Sequence, residues 1–242
     1  MAMIADNLQL VHARLARACA EAGRPVQSVT LLNVSKTVGT DAVRQVVAAG
    51  ERHCGENYVA EGVAKIEALA DLRGQLVWHL IGPLQSNKTR TVAEHFDWVH
   101  TVDRLKIAQR LSEQRPAHLP TLQVCLQVNI SGEASKSGLA PHEVGGIAVA
   151  VAALPRLTLR GLMAIPEPVT DPAAQRRPYR ALRELLGELR RQGLATLDTL
   201  SMGMSADLEA AVHEGATVVR VGSAIFGQRA PKIASEARAP GA

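Results

Sequence analysis

From residue 29 onward the sequence repeats one unit: a short run of apolar, often β-branched residues, a polar or glycine-bearing turn, then an apolar stripe at helical spacing. The runs fall at 29–36, 52–54, 77–81, 98–101, 122–130, 157–164, 197–201 and 217–221. Helical patterns follow them, among them 41–49, 141–154, an Arg/Leu stretch after the prolines Pro166, Pro168 and Pro172, and a segment to Glu214 that Ser205 opens as N-cap. Asp103 is expected to cap the helix that ends before Pro116. One further helix, over 4–22, precedes the first strand and stops at Gly23-Arg24-Pro25. Near-continuously apolar strands are those of a parallel sheet covered by helices on its outer face. Eight strand–helix units in about 220 residues predict an α/β chain folded as a single (β/α)8 TIM-type barrel with an extra N-terminal helix. A doubly wound open sheet would need a glycine-rich dinucleotide turn after the first strand, and Ser35-Lys36-Thr37-Val38-Gly39 is not one. The barrel is expected over 1–228, with 229–242 as a frayed tail.

Composition removes several function classes. No apolar run is long enough to span a bilayer, and Asp6 and Asn7 interrupt any signal-peptide pattern at the start. The three cysteines, Cys19, Cys54 and Cys125, are odd in number and widely spaced, which suggests neither a disulfide framework nor zinc. A cytoplasmic protein is expected. The net charge of +4 raises the question of nucleic acid. Yet Arg176, Arg180, Arg183, Arg190 and Arg191 alternate with leucines, as on the solvated side of an amphipathic helix. Aromatic residues make up 2% of the chain, so base-stacking platforms are scarce. No specific nucleic-acid partner and no membrane partner is expected.

In such a barrel the carboxyl ends of the strands share one mouth, where the chemistry of the fold is kept. The residues brought there include Lys36, Glu56, Asn57, His79, His100, Asn129, Lys136, Met163, Ser201, Ser205, Arg220, Gly222 and Ser223. A lysine at the end of a buried strand can be held uncharged and attack a carbonyl. The turns after the seventh and eighth strands, Met202-Gly203-Met204-Ser205 and Gly222-Ser223, offer backbone N–H groups and hydroxyls suited to a phosphate dianion. Lysine on the first strand, phosphate site by the eighth and arginine between them together fit pyridoxal 5′-phosphate (PLP). Its aldehyde would form a Schiff base with Lys36, its phosphate would lie on Ser205, Gly222 and Ser223, and Arg220 would face the pyridine nitrogen. Arginine can only donate, so that nitrogen stays unprotonated and the ring is a weak electron sink.

The same residues sit in motifs that resemble the pyridoxal phosphate homeostasis (YggS/PROSC-like) family along nearly the whole chain. They are Val34-Ser35-Lys36-Thr37, Gly55-Glu56-Asn57-Tyr58-Val59, Trp78-His79-Leu80-Ile81-Gly82-Pro83-Leu84-Gln85-Ser86-Asn87-Lys88, and Val128-Asn129-Ile130-Ser131-Gly132-Glu133 with Ser135-Lys136-Ser137-Gly138. Gly161-Leu162-Met163, Leu200-Ser201-Met202-Gly203-Met204-Ser205-Ala206-Asp207 and Val219-Arg220-Val221-Gly222-Ser223-Ala224-Ile225-Phe226-Gly227 complete the set. The resemblance implies a barrel similar to the N-terminal domain of alanine racemase without that enzyme's second domain. It also implies PLP as a Schiff base on Lys36 with Arg220 at the ring nitrogen, and a role in vitamin B6 and amino-acid balance without established turnover. Two positions depart from the family pattern: Val38 stands where many members carry a second lysine, and Gln228-Arg229-Ala230-Pro231-Lys232 replaces an aromatic-containing segment.

Other roles compete at single residues. Arg220 could pair with a barrel carboxylate such as Glu56, Asn57 either lines the ring or holds its loop, and His79 reads as a satisfied core histidine. Lys136 reads as a solvated loop lysine or a secondary PLP acceptor. For the whole chain, a PLP carrier that delivers to PLP-dependent apoenzymes competes with a weak amino-acid racemase and with a cofactor-free lysine aldolase. A monomer is expected, because the barrel closes on itself.

Overall fold

The computed structural model describes residues 2–132 and 137–227. The boundary expected at 228, the tail over 229–242, and Lys136 lie outside the described residues. Helix α1 (Ala2–Glu21) is followed by β1 (Thr30–Val34), α2 (Thr40–Ala48), β2 (His53–Glu56), α3 (Val59–Ala68), β3 (Val77–Leu80), α4 (Thr89–His95), β4 (Trp98–Val102) and α5 (Leu105–Gln114). The second half runs β5 (Leu122–Gln127), α6 (Val144–Ala152), β6 (Leu157–Met163), α7 (Pro172–Arg191), β7 (Thr199–Met204), α8 (Leu208–His213), β8 (Val218–Val221) and α9 (Ser223–Phe226). All neighbouring strands pair in parallel, and β8 closes on β1, so the expected (β/α)8 barrel with an additional first helix is what forms.

Side chains alternate across each strand, and the two faces meet different surroundings. Outward-facing residues such as Leu31, Trp78, Leu80, Val99 and Leu126 join the helices in one large apolar core, with Phe96 and Tyr179 among its biggest buried members. Inside the barrel the apolar cluster is small: Leu32, Val34, Ile81 and Val218. Beside it the interior holds His79, His100, Ser201 and Arg220, all buried, with Trp98 stacked on His79.

Several boundaries differ from expectation. Strand β7 starts two residues late and runs on through Met202-Gly203-Met204, because a register shift between Ser201 and Met204 lets it bend without ending. Gly203 makes the bend: its φ is +90°, and a Cβ there would sit 2.4 Å from that of Ala211. Ser205 is therefore not the N-cap of the next helix. Asp207 precedes α8 and takes the Met204 N–H at 2.6 Å through Oδ1, which folds 205–207 into a turn. Asp103 does not cap α5 either, since Arg104 precedes that helix and pairs with Asp103 at 2.7 Å. The arginines of α7 lie on its solvated side as expected, and three of them, Arg176, Arg180 and Arg183, also converge on the buried Glu214 carboxylate. Together they hold that carboxyl below its usual range despite the burial that opposes them.

Candidate functional site

Strand β1 pairs with β8 in a register that sets Leu32 beside Arg220 and Asn33 beside Val221. The same register carries Lys36, just past β1, to the rim beside the Gly222-Ser223 turn. Closure of the barrel thus joins the first and last strands at one place. There a cleft of about 320 Å³ is lined by Lys36, Asn57, Ser205, Arg220, Gly222 and Ser223, with Val34, Ile81, Ile165, Met204 and Ala206 as its other walls. All six residues singled out in the sequence therefore border one cavity.

The lysine side rests on ions. Lys36 is half-buried, and Ser35 immediately before it is fully buried. The Ser35 hydroxyl donates to Glu56 Oε1 at 2.6 Å, and Lys65 of α3 donates to the Ser35 carbonyl at 2.5 Å. Lys65 also pairs with Glu56 at 2.8 Å and with Glu61 at 2.7 Å. Burial pushes the Glu56 carboxyl up, against the lowering pull of Lys65 and Ser35. Beyond Lys36 the chain turns at Thr37, whose φ of +65° is uncommon for a β-branched residue and whose N–H is held by the Glu61 carboxylate. The backbone around the candidate amine is thus held from both sides.

On the adjoining strand β8, Arg220 is buried, donating to Ser201 Oγ at 2.8 Å and to the Ala164 carbonyl at 2.9 Å. Glu56 is not its partner, being engaged with Ser35 and Lys65 as described. A guanidinium has five N–H donors, and these two contacts leave donors over.

The anion-binding candidates lie where two strands end. Ser205 and Ser223 bring their hydroxyl oxygens to 3.4 Å, and Gly222-Ser223 opens α9, whose first N–H groups have no partner within the helix. The turn holding Ser205 is braced from beneath, by Arg14 of α1 on the Ser205 carbonyl at 3.1 Å and by Tyr179 on Asp207 at 2.6 Å. Burial, and then Asp207, raise the Tyr179 pKa, so the phenol keeps the proton it donates.

Asn57 borders the cleft, and its Oδ1 is buried with no hydrogen-bond partner. Its backbone is crossed closely by Gly82, where a Cβ would fall 2.0 Å from the Asn57 carbonyl oxygen. An unpartnered acceptor, a lysine, donors on an arginine and a pair of hydroxyls at a helix start match what a phosphorylated pyridine aldehyde presents. The residues present fit PLP.

Other residues gathered at the mouth in the sequence reading stand elsewhere. His79, His100 and Ser201 are buried inside the barrel below the cleft, and His79 is indeed a satisfied core histidine, bonded on both ring nitrogens. Asn129 lines a neighbouring cavity of about 290 Å³ that shares Asn57, Ile81 and Ile165 with the first. Lys65 was missed; its only signal is a charge on the face of α3 that also buries Gly62 and Ile66. Among the described residues no group of three or more His, Cys, Asp or Glu side chains could hold a metal ion, and no helix is long and apolar enough to cross a membrane.

Comparison with known proteins gives the family and the fold. The sequence model of the alanine racemase N-terminal domain matches residues 7–230. A pyridoxal phosphate homeostasis protein of Pseudomonas aeruginosa is 61% identical over 229 residues, 95% of this chain and 97% of that one. One of Escherichia coli K12 is 52% identical over 227 residues, 93% of this chain and 97% of that one. The structure of PipY of Synechococcus elongatus PCC7942 with PLP bound superposes with a TM-score of 0.81 at 37% identity, covering 93% of this chain and all of PipY (100%). Alanine racemase of Corynebacterium glutamicum shares the fold alone, with a TM-score of 0.67 at 19% identity over 94% of this chain and 61% of its own. By full-length identity and by the domain that it matches, the chain belongs to the pyridoxal phosphate homeostasis protein family, built on the alanine racemase N-terminal fold.

Proposed function

We propose that the protein binds PLP through Lys36 as a Schiff base and serves intracellular vitamin B6 homeostasis, holding the cofactor without turning substrate over. The observation that carries this reading is the convergence of Lys36, Asn57, Ser205, Arg220, Gly222 and Ser223 on one cleft. The homeostasis relatives and the PLP-bound PipY structure support it. PLP supplies an aldehyde for the amine and an electron-withdrawing ring. Ser205, Ser223 and the start of α9 bind the phosphate end, and Lys36 provides the amine. Arg220, which donates and does not accept, keeps the ring nitrogen unprotonated, which weakens the ring as an electron sink. The site is a cytoplasmic store from which PLP passes to apoenzymes, and the barrel works as a monomer.

The racemase alternative draws on the shared fold. The chain spans about three fifths of the Corynebacterium racemase. Of the described side chains lining the cleft, those other than Lys36 and Arg220 are amide, hydroxyl, thioether or hydrocarbon, so a second acid/base on the far ring face is not among them. The test is the visible spectrum of the purified protein before and after borohydride, followed by peptide mapping. The adduct is expected on Lys36, and Lys36→Ala is expected to lose the visible band while keeping its melting temperature. An adduct on another residue, or interconversion of L- and D-alanine at ordinary enzymatic rates, would overturn the reading.

A further inference from the structure

Beneath Arg220 the barrel interior holds a row of hydrogen bonds that PLP binding leaves unexplained. Arg220 Nη1 donates to Ser201 Oγ, which lies 2.7 Å from His100 Nδ1. His100 Nε2 is 2.9 Å from His79 Nδ1, and His79 Nε2 is 3.0 Å from His53 Nδ1. The row crosses from β8 and β7 to β4, β3 and β2. It ends at the opposite face of the barrel, where His53 borders an opening with Thr30, Trp98, Arg160 and Asp198. Inward-facing residues of a barrel ordinarily fill it with branched apolar side chains in layers. Here three imidazoles take those places on successive strands, with His79 stacked on Trp98.

Counting donors gives the row a direction. A guanidinium only donates, so Ser201 Oγ accepts from Arg220 and its single hydrogen is left for His100 Nδ1. A neutral imidazole has one N–H and one lone pair. His100, accepting at Nδ1, therefore donates from Nε2 to His79, and His79 donates from Nε2 to His53. The reverse direction would set two donors on the Ser201 oxygen and leave its hydroxyl hydrogen without an acceptor.

We propose that His53, His79, His100 and Ser201 are positioning residues: a directed chain of neutral donors that keeps the Ser201 lone pair on Arg220 and so holds the guanidinium under the cofactor ring. The toward-the-ring part of this rests on the PLP reading of the cleft; the direction of the chain does not. The surroundings keep the rings neutral. Burial, and then the charge of Arg220, push His100 down to about 3, and burial with the neighbouring rings holds His79 well below its ordinary value. His53 faces His79, Glu51 with His12 of α1 upon it, Asp97, and the Arg160–Asp198 pair. Burial lowers it too, against the pull of Glu51 and Asp97.

Nitrogen-15 NMR of histidine-labelled protein tests the direction. His79 and His100 are expected as neutral Nε2–H tautomers that do not titrate between about pH 5.5 and 8.5. An Nδ1–H tautomer at His100, or titration of either ring near its ordinary value, overturns the proposal. The second measurement is release of bound PLP, followed by loss of the visible band on dilution. Ser201→Ala is expected to release it about tenfold faster. His53→Leu, at the far end of the chain, is expected to release it about threefold faster, because His79 is then free to exchange tautomers. His53→Gln is expected to restore the slower rate, since a carboxamide oxygen accepts the same N–H. Wild-type release from both Ser201→Ala and His53→Leu sinks the positioning role. Absence of any visible band in the wild-type protein would instead sink the PLP reading and leave the tautomer result to decide the chain.

Discussion

The two walls of the cleft stand on buried polar groups of opposite character. Under Lys36 lies an ion pair, Lys65 with Glu56, tied to the backbone at Ser35. Under Arg220 lie a hydroxyl and three uncharged rings. The difference follows from where counter-charge can reach. Lys65 and Glu56 sit between a strand and its covering helix, where α3 delivers one charge to meet the other. Inside the barrel Arg220 is already a buried cation, and a second positive charge beside it would be opposed by desolvation and repulsion together. Neutral groups that pass one donor along a row can hold the guanidinium without adding charge.

Breaking the ionic side is expected to have the largest effect. Lys65→Met leaves Glu56 buried without its cation, at a cost of about 3–5 kcal/mol, and is expected to lower the melting temperature by about 10 °C. Adding Glu56→Gln should recover much of that loss, and a double-mutant cycle by denaturant unfolding measures the coupling.

The neutral side is next, and acid is its probe. Burial, and then the charge of Arg220, hold His100 at about 3 against 6.5 for a free ring, and burial holds His79 well below its ordinary value too, so the unfolded chain takes up protons that the folded chain refuses. Their contribution is fully present above about pH 6.5 and is lost as pH falls, by about 1.4 kcal/mol per unit for each ring. Urea unfolding between pH 7 and pH 5 is expected to show this slope, and His100→Leu to flatten it by one proton. A slope unchanged in that variant would mean that the acid sensitivity arises elsewhere. The smallest effect is expected from His53→Gln, which keeps an acceptor at the partly open end and should change stability by less than about 1 kcal/mol.

Much of this molecule is legible along the chain. The strands read clearly because their helix-covered faces are apolar, and the glycine and proline stops between them mark the helices. Where the reading failed, a local tertiary contact was responsible. Strand β7 continues through a bend that Gly203 permits, and the start of α8 is decided by Asp207 reaching back to Met204 rather than by Ser205. The arginine face of α7 is solvated as it reads, but the carboxylate that gathers three of its arginines, Glu214, stands just past α8 and no local pattern announces it. Lys36, Arg220 and the two serine turns were recognisable because each stands at a strand end, and barrel closure sends all strand ends to one mouth. Lys65 lacked such a marker, and His79, His100 and Ser201, read at the mouth by the same rule, are buried inside the barrel.

The sequence by itself determined the eight-fold alternation, the closed parallel sheet that follows from it, and the residue types offered at the mouth, since periodicity and local turn chemistry are carried by neighbours along the chain. Which buried groups stand behind those residues was decided only by the tertiary structure. Lys65 meets Ser35, and His100 meets Ser201, across strands and helices that no local pattern connects, and the stagger of inward-facing side chains in a closed barrel exists only once the barrel has formed.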